Sequence, residues 1–459
     1  MKNKLFLLVM LALINVSFSQ TWIIVKSGTE FTVAIRQDST LWSWGNGLSG
    51  QLGTSLNNIQ ESPLQESTNS KWLKCDAGSF HTLAIKNDNT LWSWGLNSNG
   101  QLGLNSNNDS NVPSQIGTGN NWESISAGQA QSFAVKMDGT LWSCGYNEYG
   151  ALAINTISDT NKLIQVGIDS DWSQVSAGGF HTLALKDDGS LWASGFNGNG
   201  QLGDGTLIDQ VNFVQVGVIN FMEICAGFQS SYAIDSLGII YSWGFNGNGQ
   251  LGLGDLIDRN IPTAIQTESG FSIISSGSSF ALAIKDDSSL WSWGYNGLGQ
   301  LGLGNLSQKD SPQLVGNDWL YIDGSEGYFN GTSIFGYSSI GINSNYNICS
   351  TGDNSSFQFG FNNISTSDVF NCGLGVNIPK NNQEVSVSPN PFYESLSISS
   401  NTVIFSITIY DLMGKLIFYK DKIMSTSDLI NTFDIQSGVY FIKIKNNDGT
   451  FLSKKLVKL

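Results

Sequence analysis

Histidine is almost missing from this chain of 459 residues, which has only His81 and His181. Cysteine is scarce and odd in number, at Cys75, Cys144, Cys225, Cys349 and Cys372, and no two of them form a C-x-x-C pair. So few imidazole and thiolate ligands leave little from which to build a zinc site, and no metal or other cofactor is expected. A Gly-x-Ser-x-Gly elbow is absent too, so no catalytic residue is assigned and a non-enzymatic role is expected. After an early apolar run at residues 5–16, no stretch approaches the length of a transmembrane helix. No membrane-spanning segment is therefore expected in the mature chain.

That early run has its own meaning. Lys2 and Lys4 precede it, and Ser17-Phe18-Ser19 follows with small residues at the last and third-last positions before Gln20. This is the pattern of a cleavable secretory signal over residues 1–19. No cysteine stands at the cleavage point to carry a lipid. In an exported chain, an odd cysteine count leaves at least one thiol outside internal disulfides. Cys349 and Cys372 fall within one repeat, described below, and are the expected bridge.

Basic residues are the next shortage. Residues 20–378 hold 11 basic and 30 acidic side chains, a net charge of −19, whereas residues 379–459 hold 9 and 7, a net of +2. The acidic part repels phosphate backbones, so no nucleic-acid partner is expected. It can attract cations or a basic protein surface, and it also serves solubility outside the cell.

Glycine and tryptophan are plentiful, with 52 and 14 copies. The stretch Gly195-Phe196-Asn197-Gly198-Asn199-Gly200-Gln201-Leu202-Gly203 contains a G-x-G-x-x-G spacing, which in another setting cradles a dinucleotide. That use requires a helix after the glycines, and no stripe of helical period follows Gly203. The same triplet recurs at Gly247, Gly249, Gly252 and at Gly297, Gly299, Gly302. A spacing that recurs at a fixed interval is architecture.

The interval is near 50 residues. Leu41-Trp42-Ser43-Trp44-Gly45 has counterparts beginning at Leu91, Leu141, Leu191, Ile240 and Leu290, at steps of 50, 50, 50, 49 and 50. A worn seventh copy begins at Ile348, 58 residues on, and its eight extra residues are placed near Gly327 to Gly336. Each copy reads as four short strands by its period-two alternation and its Gly, Asn and Asp turns. Seven such units predict a seven-bladed β-propeller, all-β, over residues 20–378. The tryptophans are expected to fill the seams between blades.

The pattern Ala77-Gly78-x-x-His81-Thr82-Leu83-Ala84-Ile85, followed by Leu91-Trp92-Ser93-Trp94-Gly95-x-Asn97-x-x-Gly100-Gln101-Leu102-Gly103, resembles the regulator of chromosome condensation repeat family. The resemblance implies a seven-bladed propeller. The third copy departs from it with Gly150-Ala151-Leu152-Ala153. Cys144, Ser194 and Thr351 replace the second tryptophan in copies three, four and seven.

The text changes after residue 381, where tryptophan ends and lysine rises. Residues 379–459 read as short alternating strands, a small β-sandwich. Pro389-Asn390-Pro391, Tyr410-Asp411-x-x-Gly414-Lys415 and Gly438-x-Tyr440 resemble the type A C-terminal sorting domain of the type IX secretion system. The resemblance implies the secretion machinery as a partner for residues 379–459. It also implies a product secreted from, or displayed on, the outer surface of a Gram-negative bacterium.

Function is read as binding. The copies agree in their core letters and vary just after the Ala-Gly pair. The position of His81 is held by Phe31, Gln131, His181, Ser230 and Phe280 in the others. This ring is the candidate ligand-facing set, for an extracellular protein or glycan. The two histidines have a simpler reading as hydrogen-bond partners inside their own blades. Two alternatives remain open. One is guanine-nucleotide exchange, which the family resemblance implies and an extracellular location opposes. The other is an enzyme acting on polysaccharide.

Overall fold

The structure is a computed structural model that describes residues 21–265, 269–325, 327–329, 334–361, 364–374, 385–388, 395–411, 416–431, 435, 438–446 and 451–458. The signal-like residues 1–19, the Pro389-Asn390-Pro391 triplet and Gly414-Lys415 lie outside the described residues. All regular structure among the described residues is β. The chain divides into two compact units, Met1–Asn377 and Ile378–Leu459.

The first unit repeats one antiparallel blade. In blade 1, Trp22–Ser27, Phe31–Arg36, Leu41–Gly45 and Gln60–Gln65 lie side by side in chain order. Five blades are separate four-stranded sheets, counting the last one, Trp319–Gly324, Ser338–Asn343, Ile348–Asp353 and Thr366–Leu374. Blades 4 and 5 are fused. The 17-residue strand Gln210–Ala226 closes blade 4 with its first part and opens blade 5 with its last, which makes one seven-stranded sheet. The copies between residues 22 and 374 therefore supply seven blades.

First strands of neighbouring blades touch around a circle, and that of blade 7 returns to blade 1. One side-chain position fastens the circle. Asp76 accepts from the Ala127 N–H at 2.8 Å, Ser126 from Ala177 at 2.9 Å, and Ser176 from Ala226 at 2.9 Å. Ser275 accepts from Gly324 at 3.0 Å, and Asp323 of blade 7 from Ser27 of blade 1 at 2.8 Å. In blade 5 the position is Cys225, whose Sγ lies 3.1 Å from Ser276 Oγ. Each inner strand is a sheet edge, and these bonds occupy N–H groups that an open edge would offer to other chains.

The recurring glycine motif forms a second set of inter-blade joints. The Gln backbone carbonyl of one blade accepts from the next blade's indole: Trp94 to Gln51 at 2.9 Å, Trp243 to Gln201 at 2.9 Å, Trp293 to Gln250 at 2.8 Å. The circle closes the same way, with Trp44 of blade 1 donating to Gln358 of blade 7 at 2.8 Å. Within the motif, Asn97 Oδ1 accepts from the Leu102 N–H at 2.9 Å, and its Nδ2 donates to the carbonyls of Ser106 and Asn108. Asn147, Asn197 and Asn246 repeat this clamp. The G-x-G-x-x-G spacing is thus a loop clamp and an inter-blade acceptor.

The paired tryptophans split their roles. The second of each pair is fully buried in the seam, as expected. The first is half-buried and stacks with a cation from the second strand. Lys86 Nζ lies 5.0 and 3.3 Å from the rings of Trp72 and Trp92, and Arg36 Cζ lies 4.4 and 4.1 Å from Trp22 and Trp42. Lys136, Lys186 and Lys285 repeat the arrangement. Such contacts contribute about 0.5–1 kcal/mol each where exposed.

Blade 7 carries the extra residues where the sequence put them. Tyr328–Phe329 and Ile334–Phe335 pair as a small hairpin between its first and second strands. Cys349 and Cys372 stand opposite one another on its outer strands and are disulfide-bonded.

The second unit is one antiparallel sheet of five strands, Val385–Ser388, Ser395–Asp411, Leu416–Asn431, Gly438–Asn446 and Phe451–Lys458. Its longest strand shifts register between Ser399 and Ile404. Leu396, Ile398 and Ile430 from one side of that shift share a core with Ile407, Ile409, Ile442 and Ile444 from the other. Strand segments on both sides of the shift thus contribute to one apolar core within a single continuous sheet.

Candidate functional site

In every blade the first-to-second and third-to-fourth connections open on one face of the ring. The second-to-third turns open on the other, together with most links between blades. The first is called here the loop face and the second the turn face.

Phe31, His81, Gln131, His181, Ser230 and Phe280 each begin a second strand at the loop face, but all six side chains are buried. The expectation that they face a ligand is corrected. They lie across the glycine of the Ala-Gly pair: a Cβ on Gly28, Gly78, Gly178 or Gly277 would come within 2.0, 2.4, 2.8 and 2.2 Å of the rings of Phe31, His81, His181 and Phe280. That glycine is needed so that the side chain can turn inward and fill the seam.

The histidine reading is corrected too. His81 Nε2 bonds Ser132 Oγ at 2.9 Å and His181 Nε2 bonds Ser231 Oγ at 2.8 Å, so both bonds cross to the next blade. Burial pushes His81 down to about 4 and His181 down to about 3, which keeps both neutral near pH 7.

What the loop face does present is aromatic. The residue before the buried ring position is Phe80 in blade 2 and Phe180 in blade 4, and the residue after the third strand is Tyr146, Phe196, Phe245 or Tyr295 in blades 3 to 6. These rings are half-buried. On blades 3 and 4 they make a connected arc: Tyr149 lies 5.6 Å from Phe180 and 5.1 Å from Phe196, and Tyr146 lies 6.0 Å from Phe180. Phe180 continues to Phe228 at 5.6 Å. The sequence reading missed the arc because it counted from the strand start, where side chains point into the seam. One residue earlier, the alternation of a strand reverses the direction.

The hairpin of blade 7 spans the middle of this face. Ser79 of blade 2 donates to the Gly327 carbonyl at 2.8 Å, and Tyr328 meets Phe80 edge-on at 4.8 Å. On the far side, a Cβ on Gly327 would lie 2.6 Å from Phe228 of blade 5, and Ser278 of blade 6 donates to the Gly336 carbonyl at 2.9 Å. Between the first strands the axial channel holds a well of about 400 Å³.

Lys26 in that well lies 3.2 Å from Asp323 and 3.5 Å from Asp76. Burial alone would lower its pKa, but the Asp323 carboxylate, with Tyr321 and Asp76, holds it well above the ordinary lysine value. Burial pushes the Asp323 carboxyl up to about 6, against the pull of Lys26. The three side chains thus join the first strands of blades 7, 1 and 2. Among the described residues, no group of three or more His, Cys, Asp or Glu side chains could hold a metal ion, and no helix is long and apolar enough to cross a membrane.

Seven antiparallel blades around an axial well, followed by a separate β unit, define an all-β propeller with an appended domain. The pattern described as the regulator of chromosome condensation (RCC1) repeat matches residues 38–85, 88–135, 138–185, 238–284 and 287–321. A second pattern of that description matches 172–201 and 271–300. The chain belongs to the regulator of chromosome condensation repeat family. Residues 386–459 match the secretion system C-terminal sorting domain, which implies the type IX machinery and a secreted or cell-surface product. Comparison with curated proteins gives no match.

Solved structures share the fold. Human WBSCR16 is 23% identical, with a TM-score of 0.61 over 67% of this chain and 85% of that one. Yeast RCC1 (Prp20), solved bound to Kap60, is 18% identical, with a TM-score of 0.65 over 80% and 87%. Prp20p of Saccharomyces cerevisiae in another structure gives 0.63 at 18% identity, over 80% and 90%.

Proposed function

We propose that this protein is an exported binding module, released from or held on the outer surface of a Gram-negative cell. It grips an extracellular protein or glycan with the loop face of its propeller. Residues 379–459 engage the secretion machinery. The observation that carries this reading is the arc of Tyr146, Tyr149, Phe180 and Phe196, whose rings pack on one another and are each only half-buried. Aromatic rings supply contact area at small entropic cost, and the loops that bear Tyr146, Tyr149 and Phe196 are held by the clamps of Asn147 and Asn197. The structure of Prp20p is described together with its binding to Gsp1p and histones, which is a property of that protein. Its likeness here supports a ring-shaped scaffold for recognition and carries no partner across.

The test is binding by the secreted full chain on a glycan array and to proteins of the culture medium. A ligand held by the wild type should be lost by the double variant Tyr149→Ser, Phe180→Ser and kept by the turn-face variant Asp187→Asn. Equal loss in both variants, or retention in both, would remove the loop face from the reading.

A further inference from the structure

The basic residues of the propeller are unevenly shared between its two faces. Of the eleven basic residues in 20–378, Arg36, Lys86, Lys136, Lys186 and Lys285 stack on aromatic rings at the turn-face ends of their second strands. Lys71 joins them on that face by donating to the Asp38 carbonyl at 2.7 Å. Lys26 and Lys74 line the axial well, and Lys162 lies in an outer strand. That leaves Arg259 and Lys309 to begin outer strands at the loop face, and Arg259 is already bound to Asp255 at 2.7 Å.

Carboxylates stand on both faces: turns such as Asp187-Asp188 and Asp286-Asp287 carry them beside the stacked cations, whereas those of the loop face have few cations near them. Asp109, Asp159, Asp209 and Asp258 stand at equivalent places in the loop-face connections of blades 2 to 5, each accepting from an Asn N–H at 2.7–2.8 Å and each exposed. These bonds order the carboxylates without neutralising them. Glu148 is exposed between Tyr146 and Tyr149, within the aromatic arc, and the Tyr146 hydroxyl donates to it. A carboxylate set among aromatic rings suits one chemistry in particular: a cation takes a Coulomb partner from Glu148 and the negative faces of the rings.

Resting on the loop-face reading, we infer that the occupant is a polypeptide presenting Lys or Arg side chains, and that Glu148, Tyr146 and Tyr149 receive one of them. Neutral glycan would use the rings alone and leave the ordered carboxylates desolvated without a counter-charge. The acidic field would also speed encounter with a basic partner, an effect that salt screens.

The experiment titrates the secreted full chain with two synthetic peptides, (Arg-Leu-Gly)4 and (Glu-Leu-Gly)4, and with cellohexaose, at 50 and 300 mM salt. The Arg peptide should bind, weaken at least fivefold at the higher salt, and weaken at least fivefold again in Glu148→Gln and in Tyr149→Ser. Asp187→Asn on the turn face removes the same charge and should leave binding within twofold. An Arg-peptide affinity that falls equally in Glu148→Gln and Asp187→Asn is non-specific attraction and overturns the inference. So does Arg-peptide binding that neither Glu148→Gln nor Tyr149→Ser weakens, or no binding of that peptide. Salt-independent cellohexaose binding that Tyr149→Ser abolishes and Glu148→Gln spares would overturn the cationic partner yet uphold the loop face. No ligand affected by any loop-face variant would end both readings. Circular dichroism and thermal melts of each variant separate lost contact from lost fold.

Discussion

His81 and His181 are seam residues, and their titration makes the fold sensitive to acid. In the folded chain they protonate at about 4 and about 3, whereas an unfolded histidine does so near 6.5. Above pH 6.5 neither state binds the proton and the histidines contribute nothing to the pH dependence. As pH falls below 6.5 the unfolded chain gains protons that the folded chain refuses, so stability is lost, down to about pH 4 for one and pH 3 for the other. At pH 5 the loss is roughly 2 kcal/mol per histidine. Glutamine already occupies this position in blade 3, as Gln131, with Nε2 donating to the Gly179 carbonyl at 3.1 Å. The double variant His81→Gln, His181→Gln is therefore expected to gain stability relative to the wild type between pH 8 and pH 5. Urea unfolding at the two pH values measures this, and an unchanged difference would contradict neutral buried imidazoles.

At the scale of elements, each blade is fitted to the next through one pair of positions. The last glycine of the recurring motif faces the second tryptophan of the following blade: a Cβ on Gly53, Gly203, Gly252 or Gly360 would come within 2.6–2.8 Å of Trp94, Trp243, Trp293 or Trp44. Where the facing residue is Cys144 or Thr351, the same Cβ on Gly103 or Gly302 would stand 3.1 or 3.4 Å from it. Ala153 is the one member of this set that is not glycine, at φ 57°, and the next blade answers with Ser194. The two departures noted in the sequence are thus one compensated change. Ser194→Trp alone should destabilise the protein by about 2–4 kcal/mol through overpacking and strain. Ser194→Trp with Ala153→Gly should recover most of that. A double-mutant cycle reads the coupling, and additive effects would refute the pairing.

At the scale of the whole molecule, the ring is closed without a covalent link between blades 1 and 7. Trp44 and Thr32 of blade 1 both donate to the Gln358 carbonyl, and Ser27 donates to Asp323. The disulfide lies inside blade 7 and staples a segment of 23 residues, a constraint of roughly 3 kcal/mol on the unfolded chain. Cys75, Cys144 and Cys225 remain thiols. Burial pushes Cys144 up to about 12 and Cys75 higher, which suppresses the reactive thiolate. Thiol titration should find three groups in the denatured unreduced protein and five after reduction, with Cys75 and Cys144 unreactive while folded. A fourth thiol before reduction would mean that the bridge does not form.

The repeat, its count of seven, the place of the extra residues in blade 7 and the sorting tail were legible in the sequence. A blade cannot bury its own faces, so the apolar period and the glycine spacing had to recur in each copy. The direction of side chains at the loop face was not legible. Phe80 and His81 are adjacent letters, and only the packing of the Ala-Gly glycine decides that the second turns into the seam while the first stays half-exposed. The gathering of basic residues at the turn face was hidden as well, since it shows only when the ends of the second strands in the blades stand side by side. Local periodicity sets what each strand is, because it depends on neighbours in sequence. Which residues meet a partner depends on neighbours in space, and closure of the ring settles that.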